Sequence, residues 1–118
     1  MSEIKIRRRL RTVDITLHTA TSSATTLRLD DMAGAVVSLG TMSTNASSVQ
    51  VWGSATEDGT YRRVYGADGS AADITLAPST SVGTMYALPD AAFALPYAKL
   101  VAGSTNSSGV VGTVMLKS

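Results

Sequence analysis

One segment of the chain constrains the fold more than any other, the stretch Val49–Tyr65 with the sequence VQVWGSATEDGTYRRVY. Apolar and polar residues alternate through Val49–Trp52, which is the period of a β-strand with one buried face. Glu57-Asp58-Gly59 supplies turn chemistry, and Thr60–Tyr65 then restarts a β-prone run. The segment therefore predicts two strands joined by a turn, and with them a β architecture.

The rest of the chain repeats this pattern of short β-prone runs separated by turn residues. Turn signals recur about every eight to twelve residues, and no window has the apolar spacing of a helix. Asp30-Asp31 is compatible with a tight turn or with the cap of a single helical turn. We therefore predict an antiparallel β-sandwich of jelly-roll type with about eight short strands. Outside the opening segment, the predicted strands are Val13–His18, Thr25–Leu29, Ala35–Leu39, Asp73–Ala77, Thr84–Leu88, Tyr97–Ala102 and Val110–Lys117.

The composition is that of one globular domain. The chain has 118 residues, of which 44% are hydrophobic and 16% charged, so there is enough apolar material for one core. It has no cysteine, which excludes disulfides and thiolate metal sites. No apolar run approaches the roughly 20 residues that span a bilayer, and the basic N-terminus is not followed by the apolar region of a secretory signal. We therefore expect no membrane partner.

The charge is unevenly distributed. Residues 1–11 carry five basic residues against the single acid Glu3, whereas residues 12–118 carry five basic and eight acidic residues. This predicts a basic N-terminal arm, 1–11, followed by a β-sandwich domain, 12–118. The arm either binds a partner through Arg–carboxylate pairs and apolar contacts or is a solvated first strand. Nucleic acid is not expected, because no aromatic residue accompanies the basic ones. The candidate partner-binding residues are Ile4, Lys5, Ile6, Arg7, Arg8, Arg9 and Arg11.

No pattern of catalytic or metal-ligating residues is present. His18 is the only histidine, and no serine lies in the glycine-flanked motif of a hydrolase nucleophile. The acidic pairs at Glu57-Asp58-Gly59 and Asp68-Gly69 lack the spacing of a calcium loop and are better explained as turns. We therefore expect neither an enzyme nor a cofactor or metal site.

The aromatic residues offer one alternative function. Trp52, Tyr61, Tyr65, Tyr86 and Tyr97 could together form a platform for sugar rings. Tyr86 and Tyr97 lie in alternating runs typical of packed strands, and Trp52 is placed to pack across the hairpin. A carbohydrate-binding β-sandwich module is therefore the alternative to a purely structural protein.

The second half of the chain also carries a family resemblance. A strand ends in Gly53-Ser54, and an acidic turn leads from it into Asp58–Tyr61. Three further motifs follow: a Tyr-Ala-Leu-Pro run that begins at Tyr86, the sequence PYAKLV at Pro96–Val101, and the last strand at Gly112–Ser118. Together these motifs resemble small bacteriophage structural proteins of jelly-roll type, which are similar to discoidin-like sandwiches. The resemblance covers about residues 47–118. Among such proteins, this chain is most similar in size and simplicity to capsid cement, or decoration, proteins.

The resemblance implies a structural role in a virion. A cement protein is a homotrimer that binds the major capsid protein at threefold or quasi-threefold points on the outer capsid surface and stabilises the shell. Discoidin-like domains bind sugars or lipids through exposed loop spikes, and this chain departs from them in its short, Ser- and Gly-rich loops. The expected partners are therefore capsid subunits and further copies of the chain. In the alternative, the chain is a carbohydrate-binding module of a phage tail or fibre.

Overall fold

The protein forms two antiparallel β-sheets that enclose one core. The computed structural model describes residues 9–41, 46, 48–77, 83–105 and 108–118. Between them these residues form nine strands and two 3₁₀ helices, the latter at Thr21–Ser23 and Asp90–Ala94. The strands are β1 (Leu10–Thr16), β2 (Thr26–Arg28), β3 (Gly34–Leu39), β4 (Ser48–Ser54), β5 (Arg62–Arg63), β6 (Ile74–Thr75), β7 (Thr84–Ala87), β8 (Tyr97–Ala102) and β9 (Val111–Lys117).

The strands pair from the ends of the chain inwards. Sheet I has the order β1-β9-β3-β7, and sheet II has the order β2-β8-β4-β5, with β6 pairing to the start of β4. The pairs β1–β9, β2–β8, β3–β7 and β4–β6 are therefore nested one inside the next and lie alternately in the two sheets. The prediction of an antiparallel β-sandwich is confirmed, and its jelly-roll type stays a prediction.

The core consists of the inward residues of both sheets. Alternate side chains of each strand point between the sheets, as the period of two requires. Each fully buried Leu or Val contributes roughly 1.5–3 kcal/mol relative to an exposed position. This common core makes the two sheets one packing unit. Its largest fully buried members are Leu17, Leu27, Leu29, Leu39, Leu116, Val37, Val49, Val51 and Val114.

Gly112 lies where a side chain would collide with the neighbouring strand. A Cβ at this position would be 2.6 Å from the carbonyl oxygen of Ser38 and 2.7 Å from Cδ2 of Leu39. The position is buried in β9 opposite Ile15 on one side and Leu39 on the other. The glycine therefore allows the close approach of β9 to β3 at the centre of sheet I.

Several predicted strands are shorter in the structure. The predicted Asp73–Ala77 is reduced to β6, Ile74–Thr75, and the second hairpin strand to β5, Arg62–Arg63. After β5 the chain continues as an isolated bridge between Tyr65 and Ala71, closed by a turn in which Gly69 has φ +82°. The Asp-Gly turn predicted there is confirmed, and it interrupts the ladder before a longer strand can form.

The 3₁₀ helix at Asp90–Ala94 was not predicted. Pro89 precedes it with φ −60°, and the amide of Ala92 donates to the Pro89 carbonyl oxygen over 3.0 Å. Ala92 is fully buried, so packing against the core stabilises this turn. The sequence has no helical periodicity here from which the turn could be predicted. Asp30 and Asp31 form a tight turn rather than a helical one.

The first strand begins inside the predicted arm. Leu10 and Arg11 pair with Lys117 and Leu116 of β9, so the last two residues of the predicted 1–11 arm belong to sheet I. The amide of Ser118 donates to the Arg9 carbonyl oxygen over 3.0 Å and extends this pairing by one residue. The rest of the predicted arm, residues 1–8, lies outside the described residues.

Candidate functional site

The outward face of sheet I is the most unusual surface of the described structure. Among the described residues, five large hydrophobic side chains are substantially exposed, and four of them come from this sheet. Leu10 is 70% exposed, Val111 64%, Met85 59% and Val36 36%. Met115 is half-buried beside them. Soluble proteins rarely group exposed apolar residues in this way without a binding role.

The strand register explains how these side chains meet. Thr12, Met115, Val36 and Ala87 lie side by side in one row that crosses all four strands. Leu10 lies one step along β1 on the same face, and Met85 lies one step along β7 in the opposite direction. The result is a shallow groove of about 470 Å³ lined by Leu10, Gly34, Ala35, Val36, Met85, Met115 and Lys117. We call this surface the apolar face.

A basic end adjoins the apolar face where β1 begins. Lys117 pairs with Leu10 and is exposed, and the Arg9 side chain is 78% exposed. Arg9 is anchored through its backbone, since its amide donates to Ser118 Oγ over 2.6 Å. Lys117 therefore places positive charge at the rim of the groove, whereas the Arg9 side chain extends from the other side of the strand towards Asp31. The acid on the same face, Asp14, lies two rows from Leu10, in the row that contains Met85.

The two described members of the predicted partner-binding set have different environments. Arg9 is largely free, with one long ion pair of 3.8 Å to Asp31. Arg11 is only 34% exposed, lies 3.6 Å from the same carboxylate and donates to the backbone oxygen of Arg28. Arg11 thus links β1 to β2 across the edge of the sandwich, whereas Arg9 remains accessible. The other predicted members, Ile4, Lys5, Ile6, Arg7 and Arg8, lie outside the described residues.

A second ion pair stabilises the turn after β2. Arg28 Nε donates to Asp30 Oδ1 over 2.9 Å, and the second guanidinium nitrogen reaches Oδ2 over 3.3 Å. This hydrogen bonding lowers the pKa of Asp30, with the charge of Arg28 acting in the same direction. It likewise raises the pKa of Arg28. Both groups are at the surface, so the pair orients the turn more than it stabilises the fold.

The outward face of sheet II is organised differently. Lys99, Trp52 and Arg63 form one row across β8, β4 and β5. Trp52 Nε1 donates to Gln50 Oε1 over 3.0 Å, Lys99 Nζ donates to the Thr21 carbonyl oxygen over 3.0 Å, and Arg63 pairs with Asp73 at 2.5 Å. Each side chain of the row therefore has a polar partner within the protein. The hydrogen bond that Arg63 donates to Asp73 also raises the pKa of Arg63.

The aromatic residues do not share one surface. Lys99 Nζ lies 4.4 Å from the centre of the Tyr61 ring, and the Arg63 guanidinium lies 5.7 Å from that of Tyr65, both contacts being cation–π pairs. Trp52 pairs across the hairpin with Arg63, as predicted. Tyr86 lies in sheet I, packs against the core as predicted and bonds the backbone of Ala77 through its hydroxyl. It takes no part in a platform with Trp52.

Neither acidic turn is assembled into a metal site. Asp68 Oδ1 accepts the amide of Ser70 over 3.0 Å, which is the local bonding of an Asp turn. Among the residues that the structure describes, no group of three or more His, Asp or Glu side chains is placed to hold a metal ion. The same residues include no helix long and apolar enough to cross a membrane.

The apolar face is the feature that the sequence predictions missed. A signal was present, because β9 has apolar residues in both phases of its alternation, with Val114 and Leu116 inward and Val111 and Met115 outward. A strand with one solvent-exposed face is expected to be apolar in one phase only.

No family model, no curated protein and no solved structure matches this chain.

Proposed function

We propose that this protein is a capsid cement protein, a non-enzymatic structural protein that binds the outer surface of a virus shell. It acts as a homotrimer at threefold or quasi-threefold points, in contact with the major capsid protein. The observation that supports this function best is the apolar face, because a sheet of a soluble sandwich that exposes Leu10, Val36 and Met85 together needs a protein partner.

The strand pairing supports the jelly-roll type within this proposal. The nested pairs β1–β9 to β4–β6, distributed alternately over two sheets, are those expected when a long two-stranded ribbon is rolled up. We infer a jelly roll of that kind. The nested order also joins β1 and β9, so both ends of the described chain contribute to the edge of the apolar face.

The size of the apolar face favours multivalent binding. The whole outward face of sheet I, four strands of up to seven residues, covers about 19 by 23 Å, or roughly 400 Å², and the apolar face is part of it. A stable protein interface buries about 800 Å² on each partner, so one such face binds weakly on its own. Three linked copies on a threefold point would bind together through effective concentration. A trimeric state therefore matches the area that each copy provides.

The charges at the rim predict the chemistry of the partner surface. Lys117 lies beside Leu10 on the apolar face, and the exposed Arg9 lies at the same end of β1, so the matching surface carries carboxylates next to an apolar ridge. Arginine and carboxylate form directional pairs, which would fix the orientation of each copy while the apolar contacts supply the affinity. The arm residues Lys5, Arg7 and Arg8 would add to this charge.

Location in a particle tests the proposal directly. Antibody raised against the purified protein, coupled to gold, would be applied to virus particles recovered from the host that expresses the chain. We expect regular label on the outer shell, and trimers of the purified protein by light scattering. Label confined to tails or fibres, or particles without any label, would contradict the cement function.

A further inference from the structure

A separate cleft lies at the end of the sandwich, away from the apolar face. It has a volume of about 530 Å³ and lies between the end of β4, the loop that follows, β5 and Leu95. Pockets of roughly 300–1,000 Å³ are the size that small ligands occupy. None of its lining residues belongs to the groove of the apolar face. It therefore requires a separate account.

The cleft is lined by hydroxyl groups on one side and aliphatic groups on the other. Ser54, Thr56 and Thr60 contribute hydroxyls, and Val64 and Leu95 contribute apolar surface. Ser54 is the only polar residue among those described that is fully buried, and its Oγ accepts the amide of Thr56 over 3.2 Å. A small molecule with polar edges and an apolar face would match both sides of the cleft.

Gly59 allows two hydroxyl groups of the cleft to come close together. A Cβ on Gly59 would collide with Thr56 Oγ1 and lie 2.6 Å from Ser54 Oγ, so both oxygens lie directly over this residue. Hydroxyl oxygens both donate and accept hydrogen bonds. This pair therefore suits a ligand whose own groups are hydroxyls.

The charges around the cleft are mixed and argue against an anion. Arg62 and Arg63 both line the cleft, and Arg63 is paired with Asp73. Arg62 is exposed and forms none of the ion pairs found among the described residues. Glu57 and Asp58 lie exposed on the same loop and would repel phosphate, sulfate or carboxylate. A neutral ligand avoids this repulsion and still accepts hydrogen bonds from the guanidinium.

The loop that forms the cleft is tied to the sheet. Tyr61 donates its hydroxyl proton to the Glu57 carbonyl oxygen over 2.9 Å, and the Tyr61 ring lies under Lys99. Lys99 itself is tied to Thr21. A preorganised loop reduces the entropy that a ligand must overcome on binding. From these observations we propose that the cleft binds a neutral saccharide, with the sugar hydroxyls on Ser54, Thr56 and Arg62 and its apolar face on Val64 and Leu95.

The single tryptophan reports on this cleft. Trp52 precedes Gly53 and pairs with Arg63, and both of those residues line the cleft. The full chain would be titrated with glucose, galactose, mannose and N-acetylglucosamine to about 50 mM, the range needed for millimolar affinity. We expect at least one sugar to change the Trp52 fluorescence and to shift the amide resonances of Gly59 and Thr60. The proposed capsid docking does not enter this test.

Two variants locate the binding. Arg62→Ala is expected to weaken the response about tenfold, the loss of one hydrogen bond from a charged donor, with unchanged thermal unfolding. Arg9→Ala, an exposed arginine on sheet I, is expected to bind like the wild type. The proposal is overturned if none of the sugars perturbs either signal. It is overturned equally if Arg62→Ala binds as tightly as the wild type, or if sulfate shifts the same amides more strongly than any sugar.

Discussion

The two outward faces of the sandwich differ in the side chains that they expose to solvent. On sheet II each side chain of the Lys99, Trp52 and Arg63 row has a polar partner inside the protein. On sheet I the apolar face leaves Leu10 and Met85 more than half exposed. Both faces belong to one fold with one core, so folding does not require the difference. Under the proposed function, sheet II is complete within one chain, whereas sheet I is completed by another molecule.

The largest effect is expected on sheet I, from Leu10→Asp combined with Met85→Asp. Both side chains are exposed and outside the core, so the free energy of unfolding should be unchanged. A central apolar anchor of an interface is worth about 2 kcal/mol, so binding to shells should fall by at least about 30-fold. Cosedimentation with capsids and denaturant unfolding measure the two quantities.

The matched control for this pair is Tyr65→Asp. Tyr65 is 55% exposed and lies away from the apolar face, so it is also an exposed hydrophobic residue changed to an acid. We expect it to cosediment like the wild type. Equal loss of binding in the control and in the double variant would show that added negative charge, and not the apolar face, governs the interaction.

The second-largest effect is expected on sheet II, where Arg63→Met should lower the free energy of unfolding. The substitution keeps the aliphatic stem but leaves the Asp73 carboxylate, 17% exposed, without its partner. An unpaired polar group of this kind costs about 1–3 kcal/mol of unfolding free energy. Thermal and urea unfolding would measure the loss, and cosedimentation should be unchanged. Reduced binding at full stability would reverse the roles that we assign to the two faces.

A smaller effect is expected from Lys99→Met. It removes the cation–π contact with Tyr61 and the hydrogen bond to Thr21, which together should cost about 0.5–1 kcal/mol at this half-exposed site. The control is Lys117→Met, which removes an exposed lysine of sheet I. Comparing the free energies of unfolding of the two variants in urea separates the effect of the lost contacts from that of the lost charge. Equal stabilities of the two variants would mean that the contact contributes nothing.

The smallest effect is expected in the pH dependence of the stability, at the Arg28–Asp30 pair in the turn after β2. The pKa of Asp30 is lowered in the folded protein by Arg28, so this carboxylate contributes stability above its unfolded pKa of about 3.9 and loses it as pH falls through the lower folded value. Between pH 6 and pH 2 the wild type should lose slightly more stability than Asp30→Asn. Thermal unfolding across this range measures it, and parallel curves would contradict the assigned cause.

Much of the fold was predictable because alternation and turn chemistry are local. Tyr97–Ala102 was predicted with the bounds that the structure has, and Ala35–Leu39 differs from β3 by one residue. The short strand β6 was overextended, since only its pairing to the start of β4 decides its length. The apolar face was not predicted, because Leu10, Val36 and Met85 are distant in sequence and meet only through the pairing of four strands.

The candidate sites, like the fold, were predictable from the sequence only where the signal is local. The basic residues near the N-terminus were evident from charge alone, but only the structure distinguishes the accessible Arg9 from Arg11, which is held against Arg28. The sugar platform predicted from aromatic content is divided between two sheets. The cleft beside Gly59 depends on hydroxyls that converge in space, for which the sequence offers no periodic signal.

Oxidation of methionine tests the central claim most directly, because the protein contains its own internal control. Met85 is 59% exposed on the apolar face, whereas Met32 is 7% exposed in the core. Peroxide converts accessible methionine to the sulfoxide, which mass spectrometry quantifies at each site. We predict that Met85 is oxidised rapidly in the free protein and is protected on the assembled particle, while Met32 is slow in both. Equal oxidation of Met85 in the free and particle-bound protein would contradict the assignment of the apolar face as the docking surface.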